Sequence, residues 1–417
     1  MKTIKVFADF DFLSAPELIG TLGYEHVRGN DHFLFEYSKD WLKLYGGIVL
    51  SGDLMNIQSV QHPRGTNNVF GFVKDTFPDR WGRLLLDRRE RLMAQSEGRP
   101  VHSLTSYDYL IGIEDYTRIG GIRYKSGDND NYINSSRKHL VPPIESLGNL
   151  CEACLRIESA EEKNELPEQH WLDQLVDPGT SLGGARPKAN VIEKDGRLYV
   201  AKFPSKNDLA NTELIEHFSL QLAAKAGIKT ANTRTLKVSK NRDILLSERF
   251  DRTLDGKRIH FASAMSLLGL EDGAGSNTGN GYLDIVDFII KNCTDVKNNL
   301  RELYRRIAFN ILFGNSDDHF RNHGFLLTPK GWTLAPAYDI NPGGKSYQCL
   351  LIDRYTDRAD IDILLSACED YMLDHQEASD IINEVREAIK AWRDVATRLK
   401  LSTTQLDSFS IHWDNIK

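Results

Sequence analysis

Over residues 1 to about 125, apolar residues come in short runs that alternate with polar ones, as in His32-Phe33-Leu34-Phe35-Glu36-Tyr37. A period of two predicts half-buried strands separated by turns. One helical stretch interrupts them, Pro78-Asp79-Arg80-Trp81-Gly82-Arg83-Leu84-Leu85-Leu86, with its basic face in solvent. Residues 126–140 are polar, with Gly127, Asp128, Asn129, Asp130, Asn131 and Asn134, and Pro142-Pro143 follows. That composition buries no core and proline blocks helix continuation, so a linker is expected here. The chain then resumes with helix, strands and helix up to about residue 250. In the last third the period changes to that of a helix. Leu300, Leu303, Tyr304, Ile307 and Ile311 share one face, with Gly314 as the stop, and Ile382, Val385, Ile389 and Trp392 mark another helix. The pattern predicts an α+β chain in three parts, 1–145, 146–250 and 251–417.

Finer signals lie inside the middle part. Ala189-Asn190-Val191-Ile192 and Leu198-Tyr199-Val200-Ala201-Lys202-Phe203 read as strands joined by a turn at Asp195-Gly196. Alternation puts Lys202 on the face of Leu198 and Val200, an unusual place for a cation. A helix follows, capped by Asn211 or Thr212 and ended near Gly227, with Ile215, Phe218 and Leu222 as its buried stripe. Glu213 and Glu216 on that helix are both possible partners for Lys202. Leu245-Leu246-Ser247-Glu248-Arg249-Phe250-Asp251 reads as a strand leaving this part.

Composition narrows the class. The 417 residues are 41% hydrophobic and 27% charged, with a net charge of −7, so the whole molecule is no cationic nucleic-acid binder. Asp9 and Asp11 interrupt any apolar leader, and no run reaches the roughly 18 apolar residues of a membrane span. Five scattered cysteines make no disulfide framework, and a cytoplasmic setting is expected. Cys151 and Cys154 have no second pair and are expected to be structural, on one helix face. Gly343-Gly344-Lys345-Ser346 lacks the earlier glycine of a phosphate loop and reads as a turn. Gly273 to Gly279 reads as a mobile surface loop.

The informative stretch is Gly314-Asn315-Ser316-Asp317-Asp318-His319-Phe320-Arg321-Asn322-His323-Gly324-Phe325. Asp317 is followed five residues later by Asn322, the offset at which kinase catalytic loops carry a carboxylate for the attacking hydroxyl and an amide for magnesium. Phe325 to Thr328 and Trp332 to Ala335 flank Pro329-Lys330-Gly331 and predict a hairpin. Asp339 follows directly, where a second hard oxygen ligand for Mg²⁺ is expected. Gly179-Thr180-Ser181-Leu182-Gly183-Gly184-Ala185-Arg186-Pro187-Lys188 is a small-residue loop whose backbone can approach phosphates. Lys202 lies at the right remove to reach the same phosphates.

Taken in order, these residues resemble the HipA-type serine/threonine kinases, toxins of bacterial toxin–antitoxin pairs. The resemblance rests on Ser181 to Lys188, Ala201 to Ser205, Glu248 to Asp251, Asn315 to Phe325 and Pro336-Ala337-Tyr338-Asp339-Ile340. Gly20 to Tyr24, Phe33 to Tyr37 and Asp75 to Leu85 extend it to the N-terminal part. It implies a protein-kinase-like two-lobed fold, with a small β-rich nucleotide lobe and a larger helical lobe, preceded by an N-terminal α/β subdomain. Asp317 would be the catalytic acceptor, and Asn322 and Asp339 the magnesium ligands. Gly183, Gly184, Ala185, Arg186, Pro187, Lys188 and Lys202 would hold the phosphates. Glu248, Arg249 and Phe250 would form the adenine hinge, His319 would lie beside the nucleotide, and Ser181 would be the self-phosphorylated residue, with Thr180 as the alternative. ATP and Mg²⁺ are the implied cofactors. The implied partners are a protein substrate such as an aminoacyl-tRNA synthetase and a helix-turn-helix, HipB-like antitoxin, with DNA reached only through that antitoxin and no membrane contact.

Two other readings compete. Asp317-x-His319-x-x-Asn322 is also close to phosphoinositide-kinase loops, which would make the chain a small-molecule or lipid kinase, but no amphipathic basic stretch for membrane docking accompanies it. A catalytically silent binding module would be free to lose Lys202, Asp317, Asn322 or Asp339, and all four are present.

Overall fold

The computed structural model describes every residue except 65–67, 128–130, 136–140, 177–184, 240, 345, 403–404, 417 and the side chain of Ser408. Two compact units emerge, Met1–Leu209 with Thr235–Ala262, and Ala210–Arg234 with Ser263–Lys417. Helices and antiparallel sheets occur together, so the fold is α+β.

The first unit contains two four-stranded sheets. In one, strands β1 (Lys2–Ala8), β2 (Glu17–Val27), β3 (Asn30–Tyr37) and β4 (Ile122–Ser126) lie in the order β3-β2-β1-β4. Ile4, Val6 and Ala8 of the central strand are fully buried, as the period of two requires. The helix Arg80–Glu97 begins where the basic stretch predicted one. Asp79 caps it by accepting from the Gly82 N–H at 2.7 Å, and Gly98, at φ 62°, ends it.

The second sheet has β5 (Lys188–Ile192), β6 (Leu198–Lys202), β7 (Thr233–Ser239) and β8 (Arg242–Glu248) in the order β5-β6-β8-β7. One face, with Ala189, Val191, Tyr199, Ala201, Ile244 and Leu246, packs against Trp81, Leu85, Cys154 and Ile157 of the helices. Cys151 and Cys154 are therefore core residues of the helix Leu147–Glu162, both with free thiols. Burial pushes the Cys154 thiol well above its ordinary pKa, away from redox chemistry. The other face carries Lys188, Asn190, Val200 and Lys202, with Lys188 directly opposite Lys202 in the register.

The second unit is mostly helical. Leu300, Leu303, Tyr304 and Ile307 of the helix Val296–Phe313 are fully buried, and Gly314 stops it at φ 84°. The helix Thr212–Lys225 buries Phe218 against the rings of Phe313 and Trp413. The Trp413 indole N–H donates to the Phe313 carbonyl at 2.8 Å, tying the C-terminal helix Asp407–Asp414 to the end of Val296–Phe313. The predicted hairpin is present, as Gly324–Thr328 paired with Gly331–Leu334 around Pro329-Lys330.

The segment Gly273–Gly279 is better held than its glycines suggested. A 3-10 turn at Ser276–Thr278 is anchored by the Ser276 N–H on the Cys349 carbonyl at 2.8 Å. A side chain on Gly275 would fall 2.5 Å from that same carbonyl, so the glycine allows the close approach. Gly343 and Gly344 form a turn, both N–H groups donating to the Gly314 carbonyl. Among the described residues no helix is long and apolar enough to cross a membrane.

Candidate active site

The helix Val296–Phe313 delivers the chain to the loop 315–323, and the loop is short because the hairpin starts at Gly324. Within it the two residues singled out by their spacing come together. The Asn322 side-chain N–H donates to the Asp317 carbonyl at 3.1 Å, and Asn322 N–H to the His319 carbonyl at 2.8 Å. Asp317 itself is exposed. Its side chain is approached by the Cys349 thiol, whose sulfur lies 3.8 Å from Oδ1 and 3.2 Å from the Ser316 carbonyl. With its nitrogen committed to the loop, Asn322 has its oxygen available for a cation.

Asp339 follows the hairpin, one residue after a contact with the loop. The Tyr338 hydroxyl donates to the Arg321 carbonyl at 2.6 Å, which fixes the residue before Asp339 against the residue before Asn322. Asp339 has φ 56°, a left-handed conformation that Asp tolerates better than most side chains. The chain before it is also held at Ala337, which exchanges backbone hydrogen bonds with Lys229 and Ala231. A small cavity lined by Asn310, Asp318, Asn322, His323, Tyr338 and Ile340 lies between these elements.

Asn322 and Asp339 would offer hard oxygen donors of the kind magnesium takes. Among the described residues there is no group of three or more His, Cys, Asp or Glu side chains able to cage a metal. One carboxylate and one amide oxygen, both hard ligands, match an ion that keeps several waters and is held mainly by nucleotide phosphates.

Asp318, the neighbour of Asp317, does something else. It is buried, and its Oδ2 accepts three hydrogen bonds, from Tyr282 Oη (2.8 Å), Asn310 Nδ2 (2.6 Å) and His323 Nε2 (2.8 Å). Burial alone would raise its pKa. The adjacent His323 and the hydrogen bonds from His323 and Tyr282 outweigh that and hold the carboxyl below the usual carboxylate range.

The remaining predicted residues belong to the first unit. Ser181, Gly183 and Gly184, with Thr180, lie outside the described residues. Ala185 is exposed. Arg186 makes a two-pronged ion pair with Asp208, at 2.8 and 2.6 Å, which ties the segment leading into β5 to the turn after β6. Pro187 is buried, and its carbonyl accepts from Phe203 N–H at 2.9 Å. Lys188 is only 2% exposed and its ammonium sits 2.7 Å from Asp79 at the start of the helix Arg80–Glu97. Lys202, directly opposite, is half-buried.

Glu248 ends β8 with Arg197 3.4 Å from its carboxylate, and the Phe250 ring lies 6.0 Å from that of Phe261. Arg249 is buried. Its guanidinium spans Asp251 (2.8 and 2.6 Å), the Thr117 carbonyl and the Asn190 side chain, and its N–H donates to Leu198. His319, in the second unit, is half-buried. Sequence reasoning did not foresee the Asp318 cluster, the Lys188–Asp79 pair or the Arg249–Asp251 pair. The one available signal was the adjacency of Asp317 to Asp318 and of Asn322 to His323, where a loop residue and an interior residue alternate.

The chain is similar to known proteins over most of its length. Residues 180–392 match the model of the HipA-like C-terminal domain, and residues 13–106 that of the HipA N-terminal domain. The chain is 25% identical over 350 residues to the serine/threonine-protein kinase toxin HipA of Shewanella oneidensis, covering 78% of this chain and 72% of that one. It is 26% identical over 180 residues to a candidate kinase of Haemophilus influenzae, 39% of this chain and 52% of the relative. The match to that relative thus spans about half of its length. Among solved structures, HipA of Shewanella oneidensis, in complex with HipB and operator DNA, superposes with a TM-score of 0.68 at 18% identity. That superposition covers 98% of this chain and 94% of that one, so the two folds are alike.

Proposed function

Because this chain belongs to the HipA family, we propose that it is an ATP- and Mg²⁺-dependent serine/threonine protein kinase acting as the toxin of a toxin–antitoxin pair. The observation that carries this reading is the loop itself, in which Asn322 is hydrogen-bonded to Asp317 and Tyr338 holds the approach to Asp339 against Arg321. Asp317 orients the incoming serine or threonine hydroxyl and accepts its proton, and its exposure leaves it open to a protein substrate. Asn322 and Asp339 hold Mg²⁺, which when bound neutralises phosphate charge. Lys202 pairs with the nucleotide phosphates, and the backbone of Glu248 and Phe250 holds the adenine. Lys188 and Arg249 act in the same region by fixing the sheet, through Asp79 and Asp251 respectively.

The same reading makes Ser181 the self-phosphorylated residue. It gives the chain a cytoplasmic protein target and a HipB-like partner that supplies the DNA contact, in keeping with a net charge of −7. Incubation with γ-labelled ATP and Mg²⁺, followed by mapping of phosphate, tests it. Asp317→Ala is expected to lower transfer on the order of 10²–10⁴-fold without lowering the melting temperature, because an exposed loop carboxylate leaves no cavity. Transfer by Asp317→Ala at the wild-type rate, with loss in Asp318→Ala alone, would assign the acceptor role to the wrong carboxylate.

A further inference from the structure

We propose that the buried Asp318–His323 pair is the positioning device of this site, fixing Asp317 and Asn322 without touching substrate; the inference rests on the kinase reading above. Asp317 precedes Asp318 and Asn322 precedes His323, so each residue assigned to the chemistry is the chain neighbour of one that points inward. The inward pair is joined by one bond, His323 Nε2 to Asp318 Oδ2 at 2.8 Å, and the carboxylate makes the histidine the donor. The same oxygen takes the Tyr282 hydroxyl from the helix Tyr282–Asn292 and the Asn310 amide from the helix Val296–Phe313. Asn310 in turn accepts from Asn315 Nδ2 at 3.0 Å, so the loop is held at its start as well as at its end.

The loop's own bonds would not hold it. Inside 315–323 they amount to His319 N–H on Asp317, Asn322 N–H on His319 and the Asn322 side chain on Asp317, which fold the loop on itself but leave it unattached. Outward, the Asp318 carboxylate ties the loop to the helix Tyr282–Asn292 and, beside the Asn315–Asn310 bond, to the helix Val296–Phe313. Tyr338 on Arg321, Cys349 on Ser316 and the Ala264 N–H on the His323 carbonyl hold other points. A buried network of this kind favours one arrangement. Here three bonds converge on Asp318 Oδ2, and of the network's described polar atoms only His323 Nδ1 is left without a partner. Loss of one member leaves buried donors unpaired and lets the loop choose among several arrangements. Displacement of about 1 Å at Asp317 is enough to cost on the order of 10²-fold in rate. Affinity for adenosine, which makes no use of Asn322 or Mg²⁺, should hardly change.

The variants are Asp318→Asn, His323→Leu and His323→Gln, the last returning an N–H near the place of Nε2. Three readouts are needed, transfer kinetics, adenosine affinity and amide hydrogen exchange of the nucleotide-free protein. Asp318→Asn and His323→Leu are expected to lower kcat at least 30-fold, with the Kd for adenosine within threefold of wild type. Exchange across 315–323 should accelerate at least tenfold while 300–310 stays protected, and His323→Gln should restore most of both. The inference is overturned by unchanged loop exchange in Asp318→Asn and His323→Leu. Faster exchange spread evenly over 300–323, or a His323→Gln no better than His323→Leu, overturns it equally. If the wild-type protein transfers no phosphate at all, the kinase reading fails while the exchange experiment still decides whether this network fixes the loop.

Discussion

Asp339 has a left-handed backbone at φ 56°, and the proposed function adds a second demand, an oxygen for Mg²⁺. Left-handed backbone strains any residue with a Cβ, and glycine relieves that strain by about 1 kcal/mol. A ligand role and a structural role therefore separate when two substitutions are compared. Asp339→Gly should keep or raise the melting temperature, whereas Asp339→Ala should lower it slightly. Both should flatten the dependence of ATP binding on Mg²⁺ to the same extent in calorimetry. Retention of the magnesium dependence in Asp339→Gly would remove Asp339 from the ligand set. The loop and the hairpin after it were legible at this scale, because five-residue spacing, turn residues and a following carboxylate form an ordered pattern, while the roles of Asp317, Asn322 and Asp339 rest on the proposed function. The inward partners were not legible, since an Asp or a His in a polar loop carries no mark of burial in the sequence.

At the scale of elements, periodicity was a good guide. The helix Val296–Phe313 with its Gly314 stop, the hairpin after the loop and the β5–β6 pair all follow from spacing and turn residues. Long-range polar pairs were out of reach, because they depend on which elements meet. Glu248 to Asp251 shows the difference: read as a hinge, it also holds the first unit together through side chains. Asp251 accepts from Arg249, from Arg252 and from the Gly120 N–H at 2.8 Å. Burial would raise its pKa, but Arg249 and Arg252 outweigh it and hold the carboxyl far below the ordinary range.

The sign of the consequence is fixed. A depressed folded-state pKa adds stability that is present above the unfolded-state value near 3.9 and is lost as pH falls below it. Asp251→Asn leaves buried guanidinium groups without their counter-charge, which should cost about 3–5 kcal/mol in urea unfolding at pH 7. The variant should also lose less stability than wild type between pH 5 and pH 3. A cost below about 1 kcal/mol would mean that the arginines find full compensation in the carbonyls of Thr117 and Arg118.

For the whole molecule, the decisive quantity is how ligand binding couples to the phosphate loop. Ser181 is the proposed acceptor there, and a phosphoserine adds roughly −1.5 to −2 charge at pH 7. That charge would compete with the nucleotide's own phosphates for the same backbone N–H groups and for Lys202, so self-phosphorylation should switch the enzyme off. Binding energy reports the switch even without turnover. At a nucleotide concentration 100 times its Kd, Mg²⁺–ATP should stabilise the native wild-type chain by about 2.7 kcal/mol. If Ser181→Asp weakens ATP tenfold, the same concentration stabilises it by only about 1.4 kcal/mol. Adenosine, which brings no phosphate, should stabilise Ser181→Asp, Ser181→Ala and wild type equally. Thermal unfolding with ATP and with adenosine separates the effects, and mass spectrometry after ATP treatment identifies the modified residue. Phosphate on Thr180 with Ser181 untouched would move the switch by one residue. Equal stabilisation of Ser181→Asp and wild type by ATP would show that charge at this position does not reach the nucleotide, and the switch would have to be abandoned.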